Sequence, residues 1–325
     1  MAGEIVAADI GGTHARFVIA EIEGTIPRLG RWVTLQTDDY ASLAEAWRAF
    51  AAQAGRPLPK AAGIAIATPL GGETLKMTNN RWVIRPATLA QEIGVDRLTL
   101  VNDFGAIAHA VAHLDVTCFA PLAGPDTPLP DEGVISILGP GTGLGVAMLL
   151  RRGGHTHVIA TEGGHIDFAP GDAIDVRIWE RLSEQYGHVS AERVVSGPGL
   201  AAIYEGLAAI EGRTVVPIED SALWQKAMAG DDPLVAAAFE RFCRLLGSVA
   251  GDIALAQGAQ ALVIAGGLGE RIADRLPRSG FAERFMAKGR FQARMEAIPI
   301  HRLTYPQPGL FGAAAAYASE HGGVA

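Results

Sequence analysis

Two glycine turns, each held between apolar runs, constrain the fold of this chain more than any other feature. The first, Ala8-Asp9-Ile10-Gly11-Gly12-Thr13, joins the apolar residues 5–7 to the run 17–20. The second, Gly139-Pro140-Gly141-Thr142-Gly143-Leu144-Gly145, joins 134–138 to 146–150. Strand, glycine turn, strand makes a β-hairpin whose bend bares backbone N–H groups. Such amides, with a Thr hydroxyl among them, hold phosphate oxygens without any side-chain charge. Ala8, Asp9, Ile10, Gly11, Gly12 and Thr13 in the first turn, and Gly141, Thr142 and Gly143 in the second, are therefore candidate contacts to a nucleotide tail gripped from two sides. Either turn alone could be only a tight bend. The Asp that ends the first strand, with Gly-Gly-Thr after it, argues for the phosphate role.

Spacing excludes the other glycine-rich phosphate motifs. The dinucleotide fingerprint needs G-x-G-x-x-G opening a helix, but here the glycines alternate and Leu144 stands where the third would be. No Gly-Lys followed by Ser or Thr occurs, so there is no P-loop. The 40 glycines exceed the roughly 7% of an average chain, and the excess lies in turns between apolar runs. A net charge of −8, from 27 basic and 35 acidic residues, with no basic block, points away from nucleic acid and anionic membrane as partners. Cys118 and Cys243 are the only cysteines and fit no metal or redox spacing, which suits a reducing, cytoplasmic setting. No signal peptide is evident. The longest uncharged run, 134–150, is broken by Pro140 and glycines and falls short of the roughly 20 apolar residues a membrane span needs.

Along the first third, strands are expected at 5–9, 17–22, 31–35, 62–67 and 98–102. Helices are expected at 40–53, capped by Asp38 or Asp39 and stopped by Gly55, and at 88–93. From residue 134 the order repeats: a hairpin over 134–150, a short strand near 158–160, and helices at 173–186, 198–211, 222–228 and 233–257. The last is the clearest, because Val235, Phe239, Phe242, Leu246, Val249 and Ile253 share one face, Asp232 offers a cap and Pro233 the first turn. A strand at 261–265 runs into Gly266-Gly267 and a helix, and a strand at 298–303 precedes a final helix at 310–319. Residues 120–131 are expected as a surface excursion. Each half thus opens with a glycine hairpin and continues into strand–helix units, which suggests an α/β protein of two lobes with mixed sheets flanked by helices.

Candidate chemistry lies at strand ends. Asn102-Asp103 closes the strand 98–101 where a helix begins. Asp103 there is either a helix cap, worth about 1 kcal/mol, or a carboxylate at the ligand-binding edge of an α/β sheet. An alcohol attacking the terminal phosphate of ATP needs its proton accepted and its oxygen aligned, and a placed Asp does both. Glu162-Gly163-Gly164-His165 puts a carboxylate and an imidazole around two small residues that let backbone approach a ligand; one His is too few for a typical zinc site. Glu192, in Ser190-Ala191-Glu192-Arg193, adds another acceptor. A polyhydroxylated sugar needs several such groups converging on its hydroxyls, and Asn102, Asp103, Glu162, His165 and Glu192 are a set of that kind.

With these residues the chain resembles the bacterial glucokinases of the hexokinase/actin-like kinase superfamily, from Ala8 to about Tyr317. The matching pieces are residues 8–17, Met77-Thr78-Asn79, Val101-Asn102-Asp103-Phe104, residues 141–147, 162–170, 187–200 and 264–268, and Pro308-Gly309-Leu310; Gly187-His188-Val189-Ser190-Ala191-Glu192-Arg193-Val194 is the most specific. The resemblance implies the two-lobed actin-like ATPase (ribonuclease H-like) fold with an active-site cleft between lobes, residues 1–115 plus 304–325 forming a small α/β domain and 116–303 a large one. It implies transfer of the ATP γ-phosphate to the C6 hydroxyl of glucose, the first step of glycolysis. Asp103 would be the base, with Asn79, Asn102, Glu162, His165 and Glu192 on the sugar. The two turns would hold the phosphates and Gly266 and Gly267 would border the adenosine. Asp9 would face Mg²⁺ through water, with no dedicated protein metal cage, and a homodimer is usual. Ala8, His14 and Thr161 stand where relatives often carry Gly, Asn and Gly. Another hexose (fructose or mannose) as acceptor, and a non-catalytic sugar sensor, are the alternatives. Retention of Asp103 with both phosphate turns speaks against the sensor.

Overall fold

The computed structural model describes residues 3–77 and 80–322; Asn79, expected on the sugar, lies outside them. The chain divides into two compact units, one of Met1–Asp115, Val158–Ala160 and Tyr305–Ala325, the other of Val116–His157 and Thr161–Thr304.

In the first unit β1 (Gly3–Ile10) and β2 (His14–Glu23) form the first hairpin, followed by β3 (Ile26–Leu29), β4 (Val33–Gln36), α1 (Leu43–Ala54), β5 (Ala61–Ile66), a small ribbon of β6 (Leu75–Lys76) and β7 (Val83–Ile84), α2 (Pro86–Ile93), β8 (Arg97–Asn102) and α3 (Asp103–His113). The sheet runs β3–β2–β1–β5–β8, with β4 also on β2. β1, β5 and β8 are parallel, so their C-terminal ends share one edge. One face packs on α1 and α2 through Phe17, Trp47, Phe50 and Leu89. The other is covered by the C-terminal helix, whose small residues Ala313, Ala314 and Ala318 bring its backbone close to the sheet.

α1 starts later than the sequence suggests and its cap is Ser42, whose hydroxyl accepts the Glu45 N–H at 3.3 Å. Asp38 and Asp39 are drawn instead into a 3₁₀ turn, Thr37–Asp39, because Thr37 is pinned to the first glycine turn. α2 takes in Pro86 at its first position, where the missing N–H costs nothing.

The second unit holds β9 (Phe119–Ala123), the second hairpin of β10 (Gly133–Pro140) and β11 (Leu144–Arg152), the two ends of β12 (His155–Thr161), whose Val158–Ala160 count with the first unit, α4 (Ala173–Tyr186), α5 (Gly199–Ile210), α6 (Asp220–Ala229), α7 (Pro233–Gln257), β13 (Ala261–Ile264), α8 (Gly267–Ile272), α9 (Phe281–Met286), α10 (Gln292–Glu296) and β14 (Ile300–Leu303); α11 (Pro308–His321) returns to the first unit. The sheet order is β12–β11–β10–β13–β14–β9. Residues 120–131 are therefore not wholly an excursion. Their first part is the edge strand β9, antiparallel to β14 with Pro121 opposite His301, and Pro is tolerated there because an edge strand leaves one side of its backbone unpaired.

α7 matches its expected bounds. Asp232 accepts the Leu234 and Val235 N–H groups at 3.0 and 3.2 Å, Gly258 ends the helix at φ 68°, and the predicted apolar face is buried. Gly247 and Gly251 let α9 approach so closely that a Cβ would strike the Phe281 and Phe285 carbonyls.

Candidate active site

The parallel edge of the first unit carries two of the predicted groups. In the register, Ile10 pairs with Ile66 and Ile66 with Asn102, so Ile10 and Asn102 end strands two places apart, roughly 10 Å. The first glycine turn springs from β1 and α3 springs from β8 at that edge. The turn is closed by the Gly11 N–H donating to the His14 carbonyl at 2.9 Å. It is anchored from behind by buried Thr37, whose hydroxyl donates to the Gly12 carbonyl at 2.7 Å and whose N–H donates to the Thr13 carbonyl at 3.0 Å. Thr37 was not legible as a site residue, because the link spans sequence with no motif. With the carbonyls tied back, the Gly12 and Thr13 N–H groups have no protein acceptor among the described residues, which suits a phosphate.

Asp9 is the penultimate residue of β1, beside this turn. Burial pushes its carboxyl up from the usual carboxylate range, while the Arg16 guanidinium at 3.4 Å pulls the other way. The side chain keeps 21% of its surface exposed. Gly309, in the first turn of α11, lies so near that a Cβ would sit 2.8 Å from Asp9 Cγ. The preceding Gln307 takes φ 57° and offers α11 no side-chain cap.

The cap on α3 is Asn102, not Asp103. Asn102 Oδ1 accepts the Phe104 and Gly105 N–H groups at 2.9 and 3.2 Å, and its amide donates to the Thr68 carbonyl at 3.4 Å. One amide proton of Asn102 is left for a ligand. Half-buried Asp103 is the first helical residue, and its Oδ1 also accepts the Phe104 N–H, at 2.9 Å. Asn102 thus takes two N–H groups of the helix terminus and Asp103 shares one of them.

The second unit gathers Gly141, Thr142, Gly143, Glu162, His165, Glu192, Gly266 and Gly267. The Gly141 N–H donates to the Gly143 carbonyl at 2.8 Å and closes the turn. β10 and β13 are parallel, with Leu138 beside Ile264, so Gly266 arrives against the turn; at φ 82° its missing Cβ would lie 3.2 Å from the Pro140 carbonyl. Two further segments fasten onto the same hairpin. The Gly197 N–H donates to the Gly141 carbonyl at 2.7 Å, and the Trp224 indole fixes the Gly197 carbonyl at 2.9 Å. Glu192 Oε2 accepts the Leu144 N–H at 2.8 Å. Gly164 lies flat on Leu144, where a Cβ would strike the Leu144 carbonyl.

The Glu162–His165 turn and the Ser190–Arg193 turn are sewn together. Ala191 N–H donates to the Ile166 carbonyl at 2.8 Å and Phe168 N–H to that of Val189 at 2.9 Å. The His188 ring reaches the His165 carbonyl at 3.0 Å and Asp167 Oδ1 at 3.1 Å. Glu162 and His165 stay exposed, Glu192 partly so. Thr161 is absorbed, its hydroxyl donating to the Val146 carbonyl at 3.0 Å. Leu144, Gly164, His188 and Trp224 act here through backbone or second contacts, which residue type alone does not announce. Two open grooves, one of about 870 Å³ at Arg31 and Trp32 and one of about 970 Å³ at Arg275 and Arg302, contain none of these groups.

The glucokinase family profile matches residues 6–320. The chain belongs to the glucokinase family. A glucokinase of Zymomonas mobilis is 58% identical over 322 residues, covering 99% of each chain. The solved glucokinase of an Antarctic psychrotroph is 33% identical, covers 97% of this chain and 99% of its own, and superposes with a TM-score of 0.85. A ROK-family glucokinase of Streptomyces griseus, solved with glucose and AMPPNP, shares the fold at 20% identity and a TM-score of 0.64, with 96% and 98% coverage. The fold is the two-lobed actin-like fold of these sugar kinases. Family membership makes the chain an ATP-dependent kinase of glucose, which decides between the enzyme and sensor readings and between glucose and other hexoses.

Proposed function

We propose that the C6 hydroxyl of glucose is phosphorylated by ATP with Asp103 as the base. Asp103 accepts the hydroxyl proton as the C6 oxygen bonds to the γ-phosphorus; the bond from that phosphorus to the bridging oxygen breaks, and ADP leaves with the electron pair. The observation that carries this role is the cap on α3. Asn102 is the cap that accepts two N–H groups of the terminus, and the Asp103 carboxylate stands beside it at the parallel edge. A positioned base contributes roughly 10²–10⁴ in rate. Asn102, Glu162, His165 and Glu192 bind the sugar hydroxyls. The turns 8–13 and 141–143 hold the phosphates through backbone amides, and Gly266 and Gly267 border the adenosine.

Mg²⁺ fits Asp9 as a hydrated ion. The donor there is a lone carboxylate with exposed surface, and among the described residues no three His, Cys, Asp or Glu cluster as a cage, whereas Mg²⁺ characteristically keeps several waters. When bound it would neutralise charge on the β- and γ-phosphates. Residues 1–115 with 304–325 form the small α/β domain and residues 116–303 the large one. The setting is the cytoplasm, at the entry to glycolysis. Both cysteines are free thiols, and among the described residues no helix is long and apolar enough to cross a membrane.

A second copy of the chain covers the outer face of α4, where Val176, Trp179 and Tyr186 are 37–42% exposed. Light scattering should give twice the chain mass, and Trp179→Lys should halve it; a wild-type monomer refutes the homodimer.

The base is tested by Asp103→Asn. The amide oxygen still accepts the Phe104 N–H, so the fold and glucose binding persist while kcat falls by roughly 10²–10⁴. Near-normal turnover overturns the assignment.

A further inference from the structure

The second phosphate turn is held by the residue proposed to hold the sugar. Glu192 Oε2 accepts the N–H of Leu144 at 2.8 Å, the residue directly after Gly141-Thr142-Gly143. The contact is built for, not incidental. A Cβ on Gly143 would overlap Glu192 Oε2, so only glycine leaves the carboxylate its place. The backbone beneath Glu192 is fixed by Ala191 N–H to the Ile166 carbonyl at 2.8 Å and Val195 N–H to the Ala191 carbonyl at 2.9 Å. The same segment ends in the Gly197 N–H, which ties the Gly141 carbonyl at 2.7 Å. The turn is thus clamped at both ends by residues 192–197. A carboxylate accepts through two oxygens and about four lone pairs, so Oε1 remains to meet a sugar hydroxyl while Oε2 keeps the amide.

We infer that Glu192 is a positioning residue for the nucleotide as well as a contact for glucose: its carboxylate props the Leu144 amide and so sets the shape of the second phosphate turn. Sugar and phosphate sites in this unit are then joined through one side chain rather than through a movement of the whole chain. The inference rests on the assignment of residues 141–143 to the ATP phosphates. It explains a glycine at 143 by a clash with a carboxylate, where the turn itself does not demand one, since Gly143 is not among the residues of positive φ.

The discriminating measurement is ADP binding in the absence of any sugar, because a residue that serves glucose alone cannot affect it. By calorimetry with the full chain and Mg²⁺, Glu192→Ala should bind ADP about tenfold more weakly or worse, since hydrogen bonds to charged groups contribute at about that level. Glu192→Gln should bind ADP nearly as wild type does, because its carbonyl oxygen accepts the same N–H, although it too should raise the KM for glucose. Glu192→Asp keeps the charge but is a methylene short of the amide, and should lose ADP affinity as Glu192→Ala does; it serves where the alanine variant fails to fold. Gly143→Ala, which displaces the carboxylate without altering residue 192, should lose affinity too. ADP affinity unchanged in Glu192→Ala or Glu192→Asp overturns the inference while leaving the phosphate assignment intact. Failure of the wild-type chain to bind ADP overturns the assignment, and the inference with it.

Discussion

His109 makes α3, the helix that begins at Asp103, sensitive to acid. Burial pushes its imidazole down to about 4 from the usual 6.5, and the neighbouring His113 adds to the push. The unfolded chain takes up this proton near pH 6.5, the folded chain only near 4. The contribution to stability is therefore complete above pH 6.5 and is lost as pH falls toward 4. At pH 5 the unfolded imidazole is almost fully protonated and the folded one scarcely at all, a difference of about 2 kcal/mol, rising to a limit of about 3 kcal/mol below pH 4. His109→Gln keeps good helix propensity and cannot take the proton. Urea unfolding followed by circular dichroism at pH 7.5 and pH 5 gives the two stabilities for each protein, with m-values compared to check that the same transition is measured. The wild-type chain should lose about 2 kcal/mol more than His109→Gln across that interval. Equal losses would refute the argument, as would an NMR titration in which the His109 ring protonates near pH 6.5.

Two further outcomes concern the core. Gly312→Ala places a methyl against the Ala106 carbonyl oxygen, where α11 crosses α3. Neither backbone can yield without disturbing the sheet beneath, so overpacking should cost about 1–3 kcal/mol and lower the thermal midpoint in calorimetry; an unchanged midpoint means the helices have room. Cys243 is buried in α7 and its thiol is pushed up to about 12, chiefly by that burial. At pH 8 iodoacetamide should therefore modify half-buried Cys118 and spare Cys243, and peptide mass spectrometry showing equal labelling would contradict the packing of that helix.

Residue type and spacing carried some elements completely and others only in outline. α7 is legible because its apolar face, its Asp232 cap and its terminal Gly258 all agree within one continuous stretch. Both hairpins are legible because a glycine turn between apolar runs has few other solutions. α1 shows the opposite case. Asp38 and Asp39 are good caps, yet Ser42 does the capping, because Thr37 is tied to a turn far earlier in the chain. β9 was hidden by Pro121 and the prolines that follow it; an edge strand accepts a proline where an interior one does not.

At the candidate site the sequence supplied the carboxylates and the glycines, since their chemistry is intrinsic to the residue type, and the order of the motifs supplied the family. It offered only Asp103 as a cap for α3, a place that Asn102 takes. That choice depends on which oxygen reaches two backbone N–H groups at once, a matter of a few tenths of an ångström. It gave no sign that Gly309 makes room for Asp9, that Gly164 lies on Leu144, or that Glu192 bonds the Leu144 amide. Each of these joins residues distant in the chain through backbone atoms, and every residue has the same backbone. Local chemistry is written in the order of side chains; the pairing of one peptide group with a particular carboxylate exists only once the chain has folded.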